Sequence, residues 1–200
     1  MTALDAAASL VLSLPADRRI LIGIAGAPGA GKSTFAVALA ADVGGTVLPM
    51  DGFHLPQARL VELGRRERMG APDTFDVDGF VALLHALRSG ERVAAPGFDR
   101  EREEPVAGAI AIDPADRILL IEGNYLLHSA DEWEQVAPLL DATIFVHLDD
   151  ATRHARLIAR HIAFGKTPAA ARDWALGTDE RNARLIAAGA ARADLVLELD

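Results

Sequence analysis

The chain has 200 residues, half of them hydrophobic and 24% charged, with a formal net charge of −9 and no cysteine. This length suits one domain with a sizeable core. The acidic balance excludes a broad nucleic-acid-binding face, which needs clustered Lys and Arg, and the lack of cysteine excludes disulfides and thiolate metal sites.

At the N-terminus, Asp5 precedes the apolar run Ala6–Leu14 and no basic segment stands ahead of it, so the stretch does not read as a signal peptide. It reads as a short amphipathic helix ended by Pro15. No apolar run is long enough to span a bilayer, and the chain reads as a soluble cytoplasmic protein without membrane or nucleic-acid partners. Five short apolar runs then predict buried parallel strands: Ile20–Ala25, Thr46–Met50, Arg117–Glu122, Ala142–Leu148 and Leu195–Leu199. Helical patterns fall between them at Lys32–Ala41, Val77–Ser89, Asp150–Phe164 and Pro168–Ala188. Alternation of strand and helix predicts an α/β fold on a parallel sheet. Residues Leu55–Ile112 are long for one crossover and carry repeated turn signals, which predicts an excursion on the substrate side.

The stretch between the first strand and the first long helix, "GAPGAGKS", matches G-x-x-x-x-G-K-[ST] with Gly26, Gly31, Lys32 and Ser33. Glycines let backbone N–H groups turn inward around an anion, and a helix N-terminus adds partial positive charge. Gly26, Ala27, Pro28, Gly29, Ala30, Gly31, Lys32, Ser33 and Thr34 are therefore the predicted nucleotide-binding residues. Lys32 would reach the β- and γ-phosphates, and the Ser33 hydroxyl would hold Mg²⁺. The chain has only two lysines, Lys32 and Lys166, among 20 basic residues, so its use of Lys in this loop fits a compact ammonium where a forked guanidinium would crowd. ATP and Mg²⁺ are the predicted cofactors.

Two acids close apolar strands, Asp51 after the second and Glu122 at the end of the third. In an open parallel sheet these ends line the ligand crevice. A carboxylate there can orient Mg²⁺ or accept a proton from an attacking hydroxyl; the alternative for each is a helix cap or turn former. Arg153, Arg156 and Arg160, at steps of three and four, share a helix face and could close over a transferring phosphoryl group, or pair with nearby acids on a solvated face. "FGKTP" after them offers a Gly hinge and the second lysine. His54, three residues beyond Asp51, could touch an acceptor or be a turn histidine. Phe98 and Arg100, with Arg102, sit in a Pro/Gly-bounded loop suited to a hydroxyl-rich or anionic acceptor or to plain surface. Asn124 and Tyr125 follow Glu122 at the crevice edge and are read as substrate contacts. Trp133 and Trp174 are read as packing residues. His85, His128, His147 and His154 show no metal-ligand spacing. Arg181 and Asn182 are placed near the adenine or the lid.

Over almost its whole length the chain resembles the phosphoribulokinase/uridine kinase family, which also contains bacterial pantothenate kinase. "GAPGAGKST" resembles its phosphate loop, "MDGFH" its strand-two acid motif, "GAPDTFD" an acceptor-contacting segment, "LLIEGNYLL" its acidic strand motif, and "DDATRHARLIARH" its lid. The resemblance implies a P-loop three-layer sandwich with sheet order 2-3-1-4-5, a single kinase domain over 1–200, an acceptor-side excursion over 55–112 and a lid over 150–188. It makes Asp51 the general base, Asp73 a contact of acceptor hydroxyls, and Glu122 a metal-side residue acting through water. Lys32, Arg156 and Arg160 would assist transfer. His161 and Leu157 depart from the uridine kinase lid, and "PGFDREREEP" with "DERNARLI" looks more like a fructose-transport-associated or nucleoside kinase-like subgroup. The implied activity is phosphorylation of a hydroxyl on a small metabolite, a sugar such as fructose first, with a nucleoside or a pantothenate-type alcohol as alternatives. A P-loop ATPase or nucleotide sensor without an acceptor is the alternative of another class. Dimers are common among such kinases, and the sequence leaves the oligomeric state open.

Overall fold

The computed structural model describes residues 2–15 and 17–199. It opens with helix α1 (Ala3–Leu12), where the Thr2 hydroxyl accepts from the Asp5 amide and the Asp5 carboxylate accepts from the Thr2 amide. This reciprocal capping box satisfies two of the first-turn donors. The helix stops two residues short of the predicted Leu14, with Ser13 as its C-cap.

Strand β1 (Ile20–Ala25) is buried at all six positions, as expected of a strand covered on both faces. Helix α2 (Lys32–Val43) comes next, then β2 (Thr46–Pro49), α3 (Gln57–Glu62), α4 (Val77–Arg88), β3 (Val93–Asp99), β4 (Glu104–Ile112), β5 (Ile118–Gly123), β6 (Ala142–His147), α5 (Asp150–Ala163), α6 (Pro168–Trp174), α7 (Glu180–Ala187) and β7 (Leu195–Glu198). The five parallel strands lie in the order β2-β5-β1-β6-β7, which is 2-3-1-4-5 when they are counted along the chain. Side chains alternate across β1. Leu21 enters one apolar cluster with Phe80, Leu84 and Leu87 of α4, while Ile20, Ile22 and Ile24 enter the other with Val11 of α1 and Leu39 of α2. Helices on both faces of one sheet thus make three layers.

Three features depart from the expectations. Residues 55–112 are not one excursion, because α4 in their middle packs into the core, with Phe80, Leu84 and Leu87 fully buried. Beyond α4 the chain turns into an antiparallel hairpin of β3 and β4 that forms its own two-stranded sheet. The helix predicted over Pro168–Ala188 is interrupted by a π-helical turn at Ala175–Asp179, a wider turn that shifts the side chains after it.

Hairpin and sheet are locked together beside the end of β2. Met50–Phe53 form a 3₁₀ turn. A Cβ added to Gly52 would stand 2.2 Å from the Pro96 carbonyl oxygen, so the two backbones meet where no other residue fits. Among the described residues no helix is long and apolar enough to cross a membrane.

Candidate active site

The phosphate loop leaves β1 at Gly26, where an added Cβ would lie 2.5 Å from the Val146 carbonyl oxygen of β6. Gly29 and Gly31 take φ of 80° and 90°, a backbone region that glycine enters without steric cost. Gly31 caps α2 with no side-chain hydrogen bond, which leaves the first amides of the helix to an incoming anion. Lys32 is 8% exposed, and its Nζ donates to the Ala27 carbonyl at 3.0 Å. Burial brings its pKa down to about 8, against the opposing pull of the charges on Glu122 and Asp51. A buried ammonium held by one backbone carbonyl suits a phosphate that would take its place.

Ser33 Oγ lies 3.1 Å from Glu122 Oε1. Burial raises the pKa of Glu122, with the Asp51 charge acting in the same direction. A hydroxyl beside a buried carboxylate is an all-oxygen donor pair, the kind Mg²⁺ takes when it keeps its remaining waters and binds phosphate. The loop and this pair therefore fit Mg-ATP.

Asp51 stands in the 3₁₀ turn after β2, and its Oδ2 accepts from Arg100 Nη2 at 3.0 Å. His54 closes the same turn, its Nδ1 at 2.8 Å from the Asp51 carbonyl oxygen. A carbonyl can only accept, which places the proton on Nδ1 and leaves Nε2 an acceptor. The imidazole sits between the rings of Phe75 and Phe98, at 4.1 and 4.7 Å between centroids. Burial lowers its pKa despite the nearby Asp51, so the neutral form prevails.

The opposite wall comes from α5 and the rod of α6, the π turn and α7. Arg156 and Arg160 face the cleft. His161 Nε2 meets Asp179 Oδ2 at 2.7 Å, and Lys166 lies 4.5 Å from the centroid of the Trp174 ring. The cleft between the walls measures about 500 Å³. Among the described residues, six cations line it (Lys32, Arg66, Arg100, Arg156, Arg160 and Lys166) against four carboxylates (Asp51, Glu103, Glu122 and Asp179). It is locally positive in a chain of net charge −9.

Of the predicted site residues, Pro28, Gly29, Gly31, Lys32, Ser33, Thr34, Asp51, His54, Phe98, Arg100, Glu122, Asn124, Arg156 and Arg160 line this one cleft. Gly26, Ala27 and Ala30 belong to the loop but do not line it. Two predicted substrate contacts lie elsewhere. Tyr125 is fully buried, and its hydroxyl donates to the Gly70 carbonyl at 2.6 Å. Asp73 lines a separate hollow of about 460 Å³. Burial alone would raise its pKa, but its bonds to Arg68 outweigh that, with Arg65 adding to the downward shift.

Arg153 also leaves the predicted trio. It is 2% exposed and bonds Asp150 and Glu180 behind the wall. Burial opposes the Glu180 charge, yet the bonds from His154 and Arg153 bring that carboxyl down to about 2. Asp150, His154 and Glu180 cluster closely enough to suggest a cation site, but the Arg153 guanidinium already supplies the positive charge.

Arg66, Met69, Gly70, Glu103, His161, Phe164, Lys166, Trp174, Asp179 and Asn182 complete the lining. Trp174, expected only to pack, and Asp179 reach the cleft around the π turn. Asn182, expected near the adenine or the lid, lines the cleft and donates to the Gly70 carbonyl at 3.1 Å.

A parallel sheet of this order, with a glycine-rich phosphate loop after its first strand, defines a P-loop nucleotide-binding fold. The chain belongs to the Phosphoribulokinase / Uridine kinase family, whose model matches residues 21–198. A crystal structure from Silicibacter sp. TM1040, provisionally named a fructose transport system kinase, matches with a TM-score of 0.92 and 41% identity over 98% of this chain and 99% of that one. A protein of Schizosaccharomyces pombe, provisionally named a uridine kinase, is 35% identical over 74% of this chain and 69% of its own length. The uncharacterized protein YggC of Escherichia coli is 32% identical over 92% of this chain and 79% of its own length.

The pKa of Lys32 gives the nucleotide site a proton signature. The free ammonium loses its proton around pH 8, whereas contact with phosphate oxygens favours the charged form. Mg-ATP binding at pH 8.5 is expected to take up a sizeable fraction of one proton, and little at pH 6.5. Calorimetric titration in two buffers of different ionisation enthalpy measures this; equal apparent enthalpies at pH 8.5 would contradict it.

Proposed function

We propose that the protein transfers the γ-phosphoryl group of Mg-ATP to a hydroxyl of a small uncharged polyol, a fructose-like sugar in the first instance. The observation that carries this reading is the shared cleft, in which the strand-end carboxylate of Asp51 opens beside the phosphate loop and the Ser33–Glu122 pair. Bound Mg²⁺ would neutralise charge on the phosphate oxygens. Lys32 and the loop amides would hold the β- and γ-phosphates, and Ser33 and Glu122 would hold the metal, Glu122 through water. Asp51 accepts the proton of the acceptor hydroxyl as the hydroxyl oxygen attacks the γ-phosphorus and the bond to the bridging oxygen breaks, releasing ADP. Arg156 and Arg160 offset the charge spread over the moving group, and closure of their wall excludes water.

Charge supports an uncharged acceptor. The cleft's excess of two cations is matched by the roughly two net negative charges that Mg-ATP brings, and an acidic acceptor would overshoot. Likeness to the Silicibacter protein favours a sugar. A nucleoside is the second reading; Phe98 and Trp174 in the cleft offer aromatic faces for a base, and the S. pombe relative carries the uridine kinase name.

Incubation with Mg-ATP and a panel of sugars, nucleosides and vitamin precursors, read by mass spectrometry for the gain of one phosphate, tests the proposal. A phosphorylated sugar supports it. ATP consumption that no acceptor stimulates would point to an ATPase and overturn it.

A further inference from the structure

We infer that Arg100 is a positioning residue that holds the Asp51 carboxylate in the absence of acceptor and so restrains transfer of the γ-phosphoryl group to water. The inference rests on the role proposed for Asp51, and its test is separable from that role.

Asp51 is the group that would draw a proton from any hydroxyl beside the phosphate loop, whether the hydroxyl belongs to an acceptor or to water. One of its oxygens is already taken. Arg100 Nη2 donates to Oδ2 at 3.0 Å, with the Asp51 side chain a quarter exposed. A carboxylate engaged with a guanidinium is charge-balanced and has one fewer lone-pair site for an incoming O–H. Lys32, another cation of the same cleft, is turned to the Ala27 carbonyl.

The post from which Arg100 reaches is fixed. The hairpin backbone abuts Gly52, directly after Asp51. The tip is folded on itself, the Asp99 carboxylate accepting from the Glu101 and Arg102 amides at 2.9 and 3.0 Å. It is clipped to α3, where Gln57 Nε2 donates to the Arg102 carbonyl at 2.7 Å. Arg100 itself is nearly half exposed. Backbone movement is therefore blocked, and the side chain is the part that can swing.

A water molecule offers little to displace that contact. An acceptor seated against Asn124, the Nε2 of His54 and the Phe98 ring brings several contacts at once, enough to exchange the guanidinium for a hydroxyl at Oδ2. In the restrained reaction the water proton would pass to Asp51 while the water oxygen bonds the γ-phosphorus and the bond to the ADP oxygen breaks, giving ADP and phosphate. Arg100 thus biases the same base toward alcohol and against water.

The test needs Mg-ATP alone. Arg100→Gln, checked for an unchanged thermal transition, is expected to raise phosphate release without acceptor by about fivefold, the factor a partly exposed ion pair can supply. Arg100→Lys should restore part of the restraint. In R100Q/D51N the gain should vanish, because it runs through Asp51. Unchanged or slower phosphate release in R100Q would overturn the inference, as would a gain that survives in R100Q/D51N. Failure of the kinase reading looks different: no acceptor is phosphorylated by the unaltered protein, whatever R100Q does to hydrolysis.

Discussion

Asp51→Asn is expected to lower acceptor phosphorylation by about 10²- to 10⁴-fold, the usual contribution of a positioned general base, while Mg-ATP still binds. The amide keeps the size of the side chain but cannot take a proton from the attacking hydroxyl. Binding should survive because the phosphate contacts come from the loop amides and Lys32 rather than from residue 51. The substitution also removes a negative charge from beside Glu122, whose pKa the Asp51 charge helps to raise, so the metal-side carboxylate should ionise more readily in the variant. Single-turnover transfer measured alongside nucleotide titration separates the two effects. A variant that transfers at the normal rate, or one that no longer binds nucleotide, would contradict the assignment.

Gly52→Ala is expected to damage both stability and turnover although it adds only one methyl group. Its Cβ would lie 2.2 Å from the Pro96 carbonyl oxygen and 2.7 Å from the Pro96 carbonyl carbon. Both are backbone atoms that no rotamer change can remove. Overpacking of this kind costs about 1–3 kcal/mol, readable as a lower urea midpoint. Relief requires the hairpin to lift off the turn, carrying Phe98 and Arg100 away from Asp51. A displacement near 1 Å at a reacting group can cost about 10²-fold in rate. Retention of full turnover in a destabilised Gly52→Ala protein would show that the hairpin does not position the acceptor.

The sheet was legible in the sequence because its strands are covered on both faces and so run as unbroken apolar stretches. The phosphate loop was legible because its chemistry is local, glycines and one lysine within eight residues. The hairpin was not. The apolar stretch Val106–Ile112 is built largely from Ala and Gly, which are weak strand formers, Pro96 and Pro105 interrupt the two strands, and residues 106–109 of β4 are exposed, so the pattern does not read as a buried strand. The three arginines of α5 show the limit of spacing arguments. Steps of three and four do place them on neighbouring stripes, but Arg153 joins Leu157 on the buried one, and only Arg156 and Arg160 reach the cleft. Asp73 and Tyr125 had the expected residue types. Their destinations were set by partners distant in sequence or hidden in turn geometry: the Gly70 carbonyl for Tyr125, and Arg65 and Arg68 for Asp73. The π turn has no sequence mark at all, and it carries Asp179 into the site.

The Gly70 carbonyl oxygen receives two donors, the Tyr125 hydroxyl and the Asn182 amide. Both of its lone pairs are therefore spent, one on the segment after β5 and one on α7. Separating that knot would strand a buried phenol, at about 1–3 kcal/mol. The turn at Gly70, the segment after β5 and α7 accordingly share one acceptor atom, so a substitution that shifts any of them is felt by the other two.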